Sequence, residues 1–246
     1  SLEGLDLALP IRYGTLPGEG REGALRGRLA IRKMEVPFLP EQSLVLPLEA
    51  ARNRLRVTNP TEIAIPGGDL RLGPLDLEHD LEKGLTMETS LRLEEMDLEP
   101  LLGLIWSKSP EGRISGTLTS IRYHQGRLTS RGTLEARGFD GEVTLENLGA
   151  SGLFTASPVY RLDAHWRGLS LKEMTEGTAF GRITGILRGR VKHFELAYGQ
   201  PQRFDLFLET VRREGVEQRI SVKALDNIAQ TGGAGSPLVG LAGLFT

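Results

Sequence analysis

The chain has 246 residues, with 30 Lys and Arg against 32 Asp and Glu, and its formal net charge of -2 excludes a global attraction to nucleic acid or anionic lipid. It contains no Cys, which excludes disulfides, thiolate metal sites and a cysteine nucleophile while leaving the compartment open. Aromatic residues make up 6%, so a core must be built from Leu, Ile and Val, and 31 Gly and 13 Pro punctuate the whole length.

Period-two alternation of apolar and polar residues begins at once, with Leu5, Leu7, Leu9 and Ile11 on one face of a first strand. Gly18-Glu-Gly20-Arg-Glu-Gly23 matches a dinucleotide fingerprint by letter. That fingerprint needs a buried strand before it and a helix after it; here a polar turn precedes and the strand-like Ala24 to Ile31 follows, so it reads as a loop. Arg26 and Arg28, then Arg52, Arg54 and Arg56, alternate with mostly apolar neighbours. No aromatics interleave with them, so they make solvated strand faces and not a nucleic-acid surface. Turns are expected at Pro17-Gly18, Pro66-Gly67-Gly68, Gln125-Gly126, Tyr198-Gly199-Gln200-Pro201 and Glu214-Gly215.

Alternation continues through Leu85 to Glu94, Leu128 to Ala136, Tyr160 to Trp166, Phe204 to Leu208 and Ile220 to Ala224, which predicts antiparallel strands with one apolar and one wet face. Two stretches break it. Asp97-Leu-Glu-Pro100 caps a helix near 97–107 that carries Leu98, Leu101, Leu102, Ile105 and Trp106. Ser170-Leu-Lys-Glu173 has capping-box spacing and starts a short helix near 170–177, ended by Gly177. Each helix precedes the same phrase, Gly112-Arg-Ile-Ser-Gly116-Thr-Leu118 and Gly181-Arg-Ile-Thr-Gly185-Ile-Leu187, so one structural unit is used twice. The helices are expected to plug sheet sections by burying Leu101, Leu102, Ile105 and Met174. No linker interrupts the pattern, and residues 1–246 are expected to form one continuous sheet.

No catalytic constellation emerges. His79, His124, His165 and His193 are far apart and lie beside no carboxylate at metal-ligand spacing. The acidic pairs fall on exposed faces or turns, and no Gly-x-Ser-x-Gly elbow occurs. The chain is therefore expected not to be an enzyme and to need no cofactor or metal. It begins at Ser1 without a signal-like run, which suggests a piece of a longer protein. The uncharged run Ile228 to Phe245 is broken by six Gly and Pro positions and does not suit a membrane span.

In the last third, Phe180-Gly-Arg-Ile-Thr-Gly-Ile-Leu-Arg-Gly189 is followed by Ala197-Tyr-Gly-Gln-Pro201, Phe204, Gln218-Arg-Ile-Ser-Val-Lys-Ala-Leu-Asp-Asn-Ile228 and the Gly-rich Thr231 to Ser236. These residues resemble the C-terminal part of YdbH-type proteins of the AsmA-like superfamily, which also includes TamB. The similarity is clearest over 166–245, moderate over 85–165 and weak before that. It implies a mainly β fold: an elongated, curved antiparallel sheet, a half-pipe or taco-shaped groove, with two short inserted helices. It also implies a periplasmic bridge, anchored in the inner membrane in the full-length protein, that carries phospholipid toward the outer membrane. A small outer-membrane lipoprotein docking at the C-terminal edge is a further implied partner. Family members continue past the Gly-rich run and begin with an anchoring helix; neither segment is in this sequence.

The residues themselves suit such a groove, because their apolar registers carry no charge. The candidate lipid-groove residues are Leu91, Leu93, Ile114, Leu118, Leu134, Leu162, Trp166, Ile183, Leu187, Phe204, Leu206, Ile220 and Val222. The same alternation also builds a closed sandwich with both apolar faces buried. The alternative function is a β-rich scaffold for outer-membrane protein assembly that uses a sheet edge as a pairing template. A groove leaves the apolar face open, whereas a scaffold covers it and exposes an edge.

Overall fold

Alternating Leu, Ile, Val and Thr on half-buried surfaces become strands because a pleated backbone sends successive side chains to opposite faces. The computed structural model describes residues 2–8, 25–34, 40–51, 53–82, 84–102, 111–153, 155–176 and 181–221. Its strands are β1 (Leu2–Ala8), β2 (Leu25–Met34), β3 (Gln42–Ala51), β4 (Arg54–Val57), β5 (Thr61–Ile65), β6 (Gly68–Leu72), β7 (Leu75–Asp80) and β8 (Gly84–Asp97). After α1 (Leu98–Leu102) come β9 (Gly112–His124), β10 (Arg127–Gly138), β11 (Gly141–Ser151) and β12 (Val159–Ser170). After α2 (Leu171–Thr175) come β13 (Ile183–Thr184), β14 (Ile186–Ala197), β15 (Gln200–Val211) and β16 (Arg219–Ile220).

Among the described residues, fourteen strands form one antiparallel sheet that does not close into a barrel; the alternation implied the antiparallel strands, and the resemblance implied the open sheet. Its main path runs β1-β2-β3-β4-β7-β8-β9-β10-β11-β12-β14-β15, and β13 pairs β16 in a separate ribbon. One fork departs from a simple meander. β8 is long enough to pair β7 through Gly84–Glu88 and, further along the same side, β6 through Leu91–Leu93. The β5–β6 hairpin thus sits beside β7 instead of between β4 and β7 in the ladder. The predicted turns at Pro66-Gly67, Gln125-Gly126, Tyr198-Gly199 and Glu214-Gly215 are present, whereas Pro17-Gly18 lies outside the described residues.

Extra residues interrupt the ladders. Register shifts fall between Leu93 and Met96, Glu146 and Gly149, and Lys192 and Glu195. Within these bulges Glu95, Asn147 and His193 hold positive φ angles of 48, 52 and 54°. Polar side chains tie them down on the wet face. The Glu95 N–H donates to Ser115 Oγ at 3.0 Å, the His193 N–H to Asp163 Oδ1 at 2.7 Å, and Asn147 Nδ2 to Asp163 Oδ2 at 2.8 Å. Bulges bend strands and increase twist, so these anchors shape the sheet.

Both helices leave the same rim, because β8 and β12 run in the same direction. Leu98 of α1 is buried and Leu101 packs against a cluster built on Leu93, Met96, Ile114, Leu118, Ile121 and Leu134. The α1 bounds cover only the start of the predicted helix; residues 103–110, including Ile105 and Trp106, are outside the described residues, and so is Gly177. At α2 the Glu173 N–H donates to Ser170 Oγ at 3.4 Å, half of the predicted box. The other half is replaced, because the Ser170 N–H donates to Phe139 O at 2.7 Å, tying α2 to the β10–β11 turn. Met174 is half-buried and Thr175 buried.

Candidate functional site

Because cross-strand partners point to the same side, register pairs can be followed across the whole sheet. One such row runs just behind the hairpin turns: Leu25, Ala50, Leu55, Leu77, Met87, Tyr123, Leu128, Ala150, Tyr160, Leu196 and Pro201. It crosses eleven strands without a charge, a path of about 48 Å at the usual strand spacing. Toward the helix rim lie two shorter parallel rows, Leu93-Gly116-Leu134-Leu145-Ala164-Val191-Leu206 and Met96-Ile114-Ala136-Val143-Trp166-Gly189-Leu208. Together they make a charge-free apolar face.

The neighbouring row on the opposite face is Arg26, Glu49, Arg56, Asp76, Glu88, Arg122, Thr129, Gly149, Arg161, Glu195 and Arg203. Its charges pair across strands: Arg26–Glu49 at 3.1 Å, Arg56–Asp76 at 2.8 Å, Arg122–Glu88 at 3.1 Å and Arg161–Glu195 at 2.9 Å. Such exposed pairs contribute little stability each, but they align register and keep this face wet.

Exposure varies along the apolar face. Around the central cluster, which includes Leu98 of α1, it is closed, with Met96 only 1% exposed and Leu118 buried. In the eleven-strand row only Ala150 is buried; most of the others are half-buried, and Tyr160 is 48% exposed. At the β15 end Leu206 and Leu208 are 40% and 46% exposed, and at the other end Leu7 is exposed too. A second sheet packed over this face would bury all of these residues.

The predicted residues separate cleanly. Leu91, Leu93, Ile114, Leu118, Leu134, Leu162, Trp166, Leu187, Phe204 and Leu206 lie on the apolar face of the main sheet. Ile183 and Ile220 do not: they pair with each other in the β13–β16 ribbon, where Ile220 is exposed. Gly185 breaks the strand after Thr184, so Ile183 peels away from the sheet that Ile186 and Leu187 join. Val222 lies outside the described residues. The candidate groove residues include none of the eleven-strand row, although Met87, Leu128 and Tyr160 lie in the alternating strands read from the sequence, and Leu44, Leu46, Leu48 and Ala50 alternate as clearly. Strands as short as β4, four residues, leave too few positions for that signal.

Several carboxyls on the wet face are held below the usual range: Asp76 by a hydrogen bond from Arg56, Glu142 by one from Arg167, and Glu95 by ones from Ser115 and then Arg113. Depressed carboxylates add stability that is present above their unfolded range and lost as pH falls through the folded one. Melting temperature is expected to be flat from pH 7 to about 5 and to fall progressively below about pH 4. Glu173 has the opposite sign: burial, then the facing Asp140 carboxyl, push it up, so its ionisation at neutral pH costs stability. Glu173→Gln should therefore raise the melting temperature at pH 7 and lose that advantage at pH 4, as read by thermal melts at both values.

Among the described residues no cluster of three or more His, Asp or Glu is arranged to hold a metal ion, and no helix is long and apolar enough to cross a membrane. Comparison of the chain with protein-family models, with curated proteins and with solved structures finds no match.

Proposed function

We propose that the chain carries phospholipid noncovalently in the periplasm, between inner and outer membrane, with acyl tails on the apolar face and head groups at the wet rim. The observation that supports this reading is the charge-free row across eleven strands, half-exposed along most of its length. Each methylene moved from water onto such a surface gains about 0.8 kcal/mol, and one unpaired charge in the path would cost several times that. Aliphatic continuity suits fluid chains. A protein partner would instead favour aromatic and Arg anchors ringed by hydrogen-bonding groups, and the row offers only Tyr123 and Tyr160. Movement is diffusive, and no residue acts as acid, base or nucleophile. The periplasmic setting, the inner-membrane anchor and a lipoprotein at the far end are part of this proposal on the strength of the YdbH-like residues.

The scaffold reading draws on one feature, the twelve-residue β15, which presents Phe207 on one face and Leu206 and Leu208 on the other, all exposed. Mass spectrometry of an organic extract separates the two readings, using protein made in a bacterial periplasm and purified without detergent. Co-purifying phospholipid is expected at a fixed ratio to protein. A folded, lipid-free preparation that also fails to take up added phospholipid would turn the assignment to the scaffold.

A further inference from the structure

We infer that β1–β3 form a hinged wall of the lipid path, which swings out at a seam between β3 and β5 that the Gln42 side chain latches. This deepens the lipid-carriage reading and rests on it. The β3–β4 ladder spans four pairs, Leu48–Ala51 with Arg54–Val57, and one more bond continues it, from the Thr58 N–H to Pro47 O at 3.2 Å. Pro60 then separates β4 from β5, and past it no ladder or backbone hydrogen bond joins β3 to β5 among the described residues. Pro47 and Pro60 have no N–H to offer such a ladder. The Gln42 amide stands in for it. Its Oε1 accepts from the Ala64 N–H at 2.9 Å, and its Nε2 donates to Ala64 O at 3.0 Å and to Pro40 O at 3.5 Å.

Each bank of the seam is fastened elsewhere. β3 is laddered to β2 from Leu25 opposite Ala50 to Met34 opposite Gln42. β5 belongs to the far side: its hairpin partner β6 pairs β8 at Leu91–Leu93, the Asp97 N–H donates to Gly67 O at 2.9 Å, and Ile65 packs against the central cluster. The banks therefore part by breaking the hydrogen bonds of one side chain and no ladder, with the short β3–β4 pairing as the hinge. On the apolar face the seam is flanked by Leu44 and Leu46 of β3 and by Ile63 and Ile65 of β5. Beside it Ile31, Leu48 and Val57 are buried, so this part of the apolar face is closed where the β15 end is open. An acyl chain entering among these side chains needs room, and the seam is where the sheet gives most readily.

The test uses the whole chain, which has no Cys of its own. Ser43→Cys and Glu62→Cys place thiols at exposed positions of the wet face, one on each bank. Spin labels on this pair are expected to show a main short distance and a minor longer one. Gln42→Ala in the labelled protein should raise the longer population about tenfold, the factor that two modest hydrogen bonds contribute. Gln42→Glu keeps the acceptor for the Ala64 N–H and loses the donor, so it should fall between; it carries the test if Gln42→Ala does not fold. A reversible dithiol bridge between the two cysteines should slow uptake of pyrene-labelled phosphatidylcholine from phosphatidylcholine vesicles by about tenfold, and reductant should restore it. Parental distances in the Gln42 variants overturn the latch. A seam that opens while the bridge leaves uptake unchanged overturns its role in loading and leaves the groove intact. No uptake by the unbridged protein overturns the lipid reading, and the role of the wall with it.

Discussion

The double substitution Leu206→Asp, Leu208→Asp is expected to leave the protein folded, with a melting temperature within a few degrees of the parent, and to strip it of co-purifying phospholipid. Both side chains are substantially exposed on the outermost strand, at 40% and 46%. Their carboxylates would stay hydrated in the lipid-free protein and cost little. An acyl chain lying on that surface would have to desolvate them, a penalty of several kcal/mol against about 0.8 kcal/mol gained per methylene. Binding should fall by two orders of magnitude or more, on the basis that each 1.4 kcal/mol is tenfold. The same substitution at Leu118 is not a usable test, because that residue is buried in the central cluster and a charge there would unfold the chain. A folded double variant that retains lipid at the parental ratio would remove the β15 end from the path.

The second large effect concerns the repeated phrase. Gly116 and Gly185 occupy equivalent places in its two copies and have nearly the same backbone angle, φ 144° and 143°. Alanine is strained at both, at about 1–3 kcal/mol. The surroundings differ. A Cβ on Gly116 would sit 2.4 Å from Thr133 O and 2.8 Å from Leu134 Cα, inside the β9–β10 ladder. On Gly185 the nearest atoms are side-chain carbons, Gln218 Cγ and Leu171 Cδ1, both 3.6 Å away. Gly116→Ala is therefore expected to cost roughly 3–5 kcal/mol and Gly185→Ala roughly 1–2 kcal/mol. Urea unfolding of the two variants, compared at matched slope, measures the difference. Equal losses would mean that the backbone angle alone sets the cost and that β9 can yield beside Thr133.

These glycines also show how far the pattern could be read. The phrase Gly-Arg-Ile-hydroxyl-Gly was visible as a repeat, and its backbone does repeat at the second glycine. That one copy continues a central strand while the other releases Ile183 to β16 was not visible, since the choice depends on a partner 37 residues further along. The cap at Ser170 was legible because capping is local. Its second hydrogen bond was not, because Phe139 reaches it from another hairpin.

Alone, the sequence determined which residues share a face, where most hairpins turn and where α2 begins, because strand alternation, turn chemistry and capping act over a few bonds. It also determined that the apolar registers carry no charge. The tertiary structure decided how those registers join into a row across eleven strands, through bulges whose anchors lie on neighbouring strands. It further decided that Met96 and Leu118 are buried in a central cluster with Leu98 of α1, while Tyr160, Leu206 and Leu208 stay exposed. Exposure is a property of what lies above a side chain, and that neighbour is brought there by the rest of the sheet, beyond the reach of any local pattern.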